Sequence, residues 1–185
     1  MSENYSEDKR EENKPDKEPC VKSVSSSAEI PKLTVVFDLH KLLPAQSRLP
    51  LLEAYTAIRP YCDTMLKKIR KYCTIMIFSS GTEQSVNDVH GLIDPKGEYF
   101  EKVFSRNSCT KVINLYGKYL AKTGADLKRT VLIDDRLHSF MHQPFNGIPI
   151  RPWTGHEDGT ELLNIKKLIM DLIEEKDVCA LLKQR

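Results

Sequence analysis

Two apolar runs in this chain stop at carboxylates, and that pattern narrows the fold more than any other feature of the sequence. Leu33 to Phe37 is short, β-branched and uninterrupted, and it gives way to Asp38; Thr130 to Ile133 is of the same kind and ends at Asp134 and Asp135. An unbroken apolar run of this length reads as a strand buried on both faces, which is the habit of parallel sheets. A third such run, Cys73 to Phe78, ends in the hydroxyls of Ser79 and Ser80. Between the first and third runs, Cys62, Met65, Leu66 and Ile69 recur at helical spacing with Lys67, Lys68 and Lys71 opposite. Past Ser79, the stretch to Thr82 supplies a turn and a helix cap, and Val86, Val89 and Ile93 share the face of the helix that follows.

Further along, Val103-Phe104 and Ile148 to Ile150 read as short strands, and Lys118 to Lys122 as a helix closed near Gly124. Leu162, Ile165, Ile169, Leu172 and Ile173 mark one face of a terminal helix of about four turns, with Glu174 to Asp177 as its solvated end. Strand alternating with helix predicts an α/β fold, a mostly parallel sheet flanked by helices in three layers.

The chain has 185 residues, enough for one domain and some spare chain. Residues 1–31 are rich in charge, Ser and Pro and poor in large apolar side chains, so they are expected to be a disordered tail, with the folded domain over 32–185. The formal net charge is +2; the eight acids and six bases up to Lys32 leave 22 bases and 18 acids beyond it, interleaved. That balance does not predict nucleic-acid binding. No apolar run approaches the ~20 residues of a membrane-spanning helix, and Met1 to Glu18, with seven acids against four bases, lacks the composition of a targeting signal. Five scattered cysteines predict free thiols in a reducing compartment. His138 and His142 have the spacing of a helical metal pair but no further ligands beside them; Trp153 reads as a packed core residue, and Arg106 and Arg151 as candidates for grasping an anion.

In open parallel sheets the ligand crevice lies beyond the carboxyl ends of the strands, so Asp38, Ser79, Asp134 and Asp135 are expected to meet there. Three carboxylates in one crevice repel one another unless a cation joins them. Oxygen ligation suits Mg²⁺, and Lys118 offers further positive charge.

The order of these residues, an apolar run ending in Asp, then Ile77-Phe78-Ser79-Ser80, then a Lys, then an apolar run ending in Asp-Asp, resembles the haloacid dehalogenase superfamily. More narrowly, Ile58-Arg59-Pro60, Ile93-Asp94-Pro95, Phe104 to Cys109, Leu127 to Asp135 and Gln143 to Trp153 resemble the domain shared by the phosphatases of the RNA polymerase II tail, the small CTD phosphatases and the receptor of the mitochondrial presequence translocase. The resemblance covers roughly 32–183 and implies a haloacid dehalogenase-like fold with little or no cap domain. It gives Asp38 the place of the nucleophile that takes up a phosphoryl group. Ser79 and Lys118 become the phosphate-binding hydroxyl and lysine, and Asp38, Asp134 and Asp135 the Mg²⁺ ligands.

Active members of that family write Asp-x-Asp-x-Thr, and here the sequence is Asp38-Leu39-His40-Lys41-Leu42. His40 therefore replaces the family's acid/base carboxylate, and Leu42 a hydroxyl. A His with an ordinary pKa of ~6.5 is chemically able to move protons, but misplacing a reacting group by about 1 Å costs ~10²-fold. The degenerate motif, with Asn146 to Gly155 and Asp177-Val178, leads to the expectation of a pseudophosphatase resembling the import receptor. Such a module binds polypeptides, presequences or translocase subunits, in a mitochondrial or reduced mitochondrial compartment. The alternative is a Mg²⁺-dependent protein serine/threonine phosphatase of the small CTD type, acting on a phosphoprotein through an Asp38 phosphoenzyme in the nucleus or cytoplasm.

Overall fold

A computed structural model describes residues 30–39, 42, 58–153 and 159–184. The expected tail over 1–31 and the His40-Lys41 dipeptide therefore lie almost wholly outside the described residues. Chain order is β1 (Leu33–Phe37), α1 (Cys62–Ile69), β2 (Cys73–Phe78), α2 (Glu83–Ile93), β3 (Lys102–Phe104), β4 (Thr110–Val112), β5 (Leu115–Gly117), β6 (Thr130–Asp134), β7 (Gly147–Pro149), α3 (Glu161–Leu172) and α4 (Val178–Leu182). Five strands form one sheet in the order β3-β2-β1-β6-β7, and every pairing in it is parallel.

The three apolar runs occupy the centre of this sheet, where both faces are covered. Side chains alternate between two cores, as the period of a strand requires. Val35, Phe37, Ile75, Ile77, Val131 and Ile133 face a large cluster that gathers the apolar stripes of all four α-helices. Val36, Met76, Phe78 and Leu132 face a smaller one, closed by Leu120 and Phe140 from short 3-10 turns. The three-layer arrangement thus has a thick helical side and a thin side of turns. Each fully buried side chain of the size of Phe37 or Ile77 contributes roughly 1.5 to 3 kcal/mol to burial. Gly147 belongs to the thin side for a steric reason: a Cβ there would meet the ring of Phe140 at 2.6 Å.

Three local expectations are corrected. Lys118 to Lys122 is not an α-helix; Lys118 lies in no helix or strand, Tyr119 is extended, and a 3-10 turn runs from Leu120 to Thr123 before left-handed Gly124. The antiparallel hairpin β4–β5 that precedes Lys118 was not foreseen, because strands of three largely exposed residues show no apolar alternation. The terminal helix ends at Leu172, and Glu174 to Asp177 is a break before α4, whose cap is the Asp177 carboxylate accepting from the Ala180 amide. His138 and His142 sit on and beyond a 3-10 turn, with the His142 ring 5.2 Å from that of Tyr119.

Arg129, 2% exposed, ties the sheet to the end of α3. Its guanidinium donates to the carbonyls of Pro31 (2.8 Å), Leu172 (3.1 Å), Ile173 (2.7 Å) and Glu175. Cations favour helix C-termini because the last carbonyls lack partners within the helix. Replacing Arg129 by Met is expected to cost about 3 kcal/mol in urea unfolding, since it strands those carbonyls. A second expectation concerns the β4–β5 loop, where Ile113 takes φ 56 and is 86% exposed. A β-branched residue there costs ~1 to 2 kcal/mol of strain, only partly offset by the extra chain entropy of Gly. Ile113→Gly should raise stability by about 0.5 to 1 kcal/mol; a loss would contradict this reading of the turn.

Candidate functional site

Strand order reverses at β1, whose successor β2 lies on one side and β6 on the other. This is the topological switch point at which open α/β sheets bind ligands. Phe37 pairs with Ile133, so Asp38 and Asp134 emerge abreast on adjacent strands, and the Asp38 amide continues the ladder by donating to Ile133 O at 2.9 Å. Lys118, the first residue after the β4–β5 hairpin, reaches this point from a third segment. Its ammonium lies 2.5 Å from Asp38 Oδ1 and also donates to Asp134 Oδ2, and the three side chains are almost wholly buried.

Asp134 is the best satisfied of these carboxylates. Its Oδ1 accepts the Arg136 amide at 3.0 Å, and the buried Ser139 hydroxyl donates to it. Burial alone would push its pKa up. The Lys118 charge and the hydrogen bonds from Lys118, Ser139 and the Arg136 amide together outweigh that, so the carboxyl is held below its ordinary range.

Asp38 also lines an open pocket of about 290 Å³ together with Ser80, Gly81, Thr82, Ser85, Arg106 and Arg136. One wall is the turn after β2 and the first turn of α2, where the Thr82 hydroxyl accepts the Ser85 amide. Arg106 is braced on that side, its Nε donating to Ser80 O at 2.7 Å and its guanidinium 5.1 Å from the Tyr116 ring centre. Arg136 follows β6 on the other side, 3.9 Å from Asp135.

The site residues expected from sequence fall into three groups. Asp38, Lys118 and Asp134 meet in one hydrogen-bonded cluster, with Asp135 next in the chain and partly exposed. Ser79 is fully buried, its hydroxyl accepting the Gly81 amide at 3.0 Å, and its neighbour Ser80 lines the pocket. His40 lies outside the described residues. Among those residues no three His, Cys, Asp or Glu side chains group as a ready metal cage; the Lys118 ammonium stands between two of the three expected ligands.

Arg136 was overlooked in the sequence, although it directly follows the Asp134-Asp135 pair. Arg151 is outside the pocket, and its carbonyl accepts from Arg59. Trp153 is 7% exposed, as a packed residue. Asp94 has a structural task, accepting the amides of Glu98, Tyr99 and Phe100 at 2.7 to 3.2 Å and so shaping the turn into β3. The four cysteines among the described residues are free thiols, and burial pushes those of Cys62 and Cys73 up to about 12, which leaves them unreactive.

Lys118→Met leaves two buried carboxylates without their cation, an error that costs ~3 to 5 kcal/mol. In the unaltered protein the lowered pKa of Asp134 stabilises the fold fully above the unfolded carboxylate value of ~3.9, and this is lost as pH falls below it through the folded value. In Lys118→Met the uncompensated carboxylates are relieved by protonation on acidification. The stability gap between the two proteins is therefore expected to be widest near neutrality and to narrow towards pH 4 in urea unfolding. A gap that does not change with pH would contradict the assigned pairing.

Comparison with known proteins agrees with this geometry. The family model of the NLI interacting factor-like phosphatases matches residues 21–179. CTD small phosphatase-like protein 2 of Dictyostelium discoideum is 31% identical over 163 residues, 80% of this chain and 29% of that protein. Human carboxy-terminal domain RNA polymerase II polypeptide A small phosphatase 2 is 27% identical over 168 residues, 83% of this chain and 62% of that protein. The chain thus spans less than two thirds of these curated relatives. A solved structure of Fcp1, described as an essential RNA polymerase II CTD phosphatase, shares the fold with a TM-score of 0.54 at 21% identity, covering 83% of this chain and 52% of that one. With the parallel sheet and the strand-end cluster, the match over 21–179 establishes that this chain belongs to the family of NLI interacting factor-like phosphatases, within the haloacid dehalogenase superfamily.

Proposed function

We propose that the chain is a phosphoprotein phosphatase of the small CTD type, dependent on Mg²⁺ and working through a phosphoryl group carried on Asp38. One observation supports this reading above the others: Asp38 forms part of an open, arginine-flanked pocket while Lys118 grips one of its oxygens. A carboxylate so held is aimed into the pocket with a buried ammonium against one of its oxygens, the fixed geometry a carboxylate nucleophile needs.

In the first step an Asp38 oxygen bonds to phosphorus as the bond to the leaving oxygen breaks and the departing alkoxide takes a proton from His40 acting as acid. In the second, water attacks phosphorus and gives a proton to His40 acting as base as the bond to Asp38 breaks, giving inorganic phosphate and the free carboxylate. Lys118 and Arg106 offset charge on the phosphoryl oxygens. Asp38, Asp134 and Asp135 suit a hard divalent ion by donor chemistry and by charge, since three carboxylates against Lys118 leave two formal negative charges. When bound, such an ion supplies electrostatic stabilisation of the transferring group.

The replacement of the family's second Asp by His40, and of its Thr by Leu42, slows the proton steps. Leu42 is fully buried in the apolar core, so that position contributes packing and no hydroxyl. Positioned general acid/base catalysis contributes typically ~10²- to 10⁴-fold. An aryl phosphate hardly needs the acid, because its leaving group is good; water attack still needs the base. The enzyme is thus expected to load Asp38 quickly and release phosphate slowly.

The import-receptor reading, with its presequence or translocase partners and mitochondrial placement, has no support in the relatives described above, which are named as phosphatases. The phosphoprotein partner and a nuclear or cytoplasmic setting accompany the phosphatase reading.

With p-nitrophenyl phosphate and Mg²⁺, the unaltered chain should show a burst of nitrophenol stoichiometric with protein and then slow turnover. Asp38→Asn should show neither, and His40→Asp should raise the steady rate by ~10²-fold or more. Chelation of Mg²⁺ should suppress the burst. No Asp38-dependent nitrophenol release in any of these proteins would refute the proposal.

A further inference from the structure

We infer that Arg136 is a specificity residue, reading a second anionic group beside the phosphoryl group on the same peptide, so that the preferred substrates are acidic or multiply phosphorylated phosphopeptides. The inference rests on the phosphatase reading for the identity of the first group and on the pocket for the second.

The sheet order sets the two arginines on opposite sides of Asp38. Arg106 follows β3, two strands away from β1, whereas Arg136 follows β6, the adjacent strand. With neighbouring strands about 4.8 Å apart, the two cationic arms start from anchors roughly 14 Å apart across the pocket. The space of about 290 Å³ beside Asp38 leaves room for a second anionic group next to a phosphoryl group.

The two arms also differ in freedom. Arg106 is held by the Ser80 carbonyl and the Tyr116 ring. The Arg136 side chain is 57% exposed, and its recorded ion pair among the described residues is the long one to Asp135. Its backbone, by contrast, is fixed, since its amide donates to Asp134 Oδ1. The base of the side chain is therefore anchored beside the reacting carboxylates while its guanidinium remains available for a planar, bidentate anion contact. Across the pocket, the first turn of α2 adds orphan amides of the same polarity.

An extended peptide advances ~3.3 to 3.6 Å per residue. A second anion one or two residues from the phosphorylated one therefore falls within reach of Arg136. Leu137, beside it and 80% exposed, offers an apolar contact on the same rim.

The test is fluorescence anisotropy with the full chain under chelation of Mg²⁺, which prevents turnover. Labelled phosphoserine peptides carry phosphoserine, Glu or Ala two residues to either side of the first phosphate. A second phosphoserine on at least one side should tighten binding roughly 10-fold over Ala, as expected for a charge-assisted contact, with Glu intermediate. In Arg136→Ser the preference should fall below about 3-fold, and in Arg136→Lys a part of it should return. No preference in the unaltered chain, or one that survives Arg136→Ser in a protein of unchanged melting temperature, overturns the inference. A preference that behaves as expected in a protein without an aryl phosphate burst upholds Arg136 as an anion reader and refutes only the phosphatase reading.

Discussion

A buried ammonium between two buried carboxylates is the constraint around which the rest of this molecule is arranged. Lys118 is 2% exposed, and withdrawing such a group from water is expensive unless it is paired with good geometry. The pairing draws together three segments that are distant in sequence: the end of β1, the end of β6 and the exit of the β4–β5 hairpin. Asp134 is further fixed by Ser139 and by the Arg136 amide, so the cluster also orients the turn that follows β6. A site built this way is pre-organised before any ligand arrives, because its charged groups already hold one another in position.

The central strands and their carboxylate ends were legible in the sequence because burial on both faces leaves a near-continuous apolar run, and no charged residue interrupts Leu33 to Phe37 or Cys73 to Phe78, where Thr34 and Thr74 are the only polar side chains. Lys118 was expected to add positive charge beside the carboxylates, and it does lie there, but its local structure was misread. Its conformation is set by the ion pairs it makes, a tertiary demand that overrides the helical pattern of Lys118 to Lys122. The β4–β5 hairpin was illegible for the opposite reason: its strands are short and exposed, and its loop places Ile113 at a backbone angle that turn chemistry assigns to Gly. Arg136 escaped notice because an exposed Arg after two acids resembles any solvated residue until the sheet order sets it across Asp38 from Arg106.

Loss of the second Asp and of the Thr from the first motif does not dismantle this arrangement. The residues that hold charge are present and paired, and Leu42 has been absorbed into the core. On the proposed phosphatase reading the change falls on proton transfer, the part of phosphoester hydrolysis that depends on an acid and a base instead of fixed charge. On that proposed reading the fixed charges stay and the proton steps slow, which is the reason for expecting a long-lived intermediate where the inactive-module reading expects none.

The most direct measurement is therefore of the intermediate itself. The protein is incubated with aryl phosphate and Mg²⁺, quenched in acid, digested, and the peptides examined by mass spectrometry for an added phosphoryl group, with hydride reduction to mark the modified side chain. The expected result is a single modification, at Asp38, reaching a large fraction of the protein before phosphate release becomes appreciable. An unmodified Asp38 at every time point, or a phosphoryl group carried by another residue, would contradict the account.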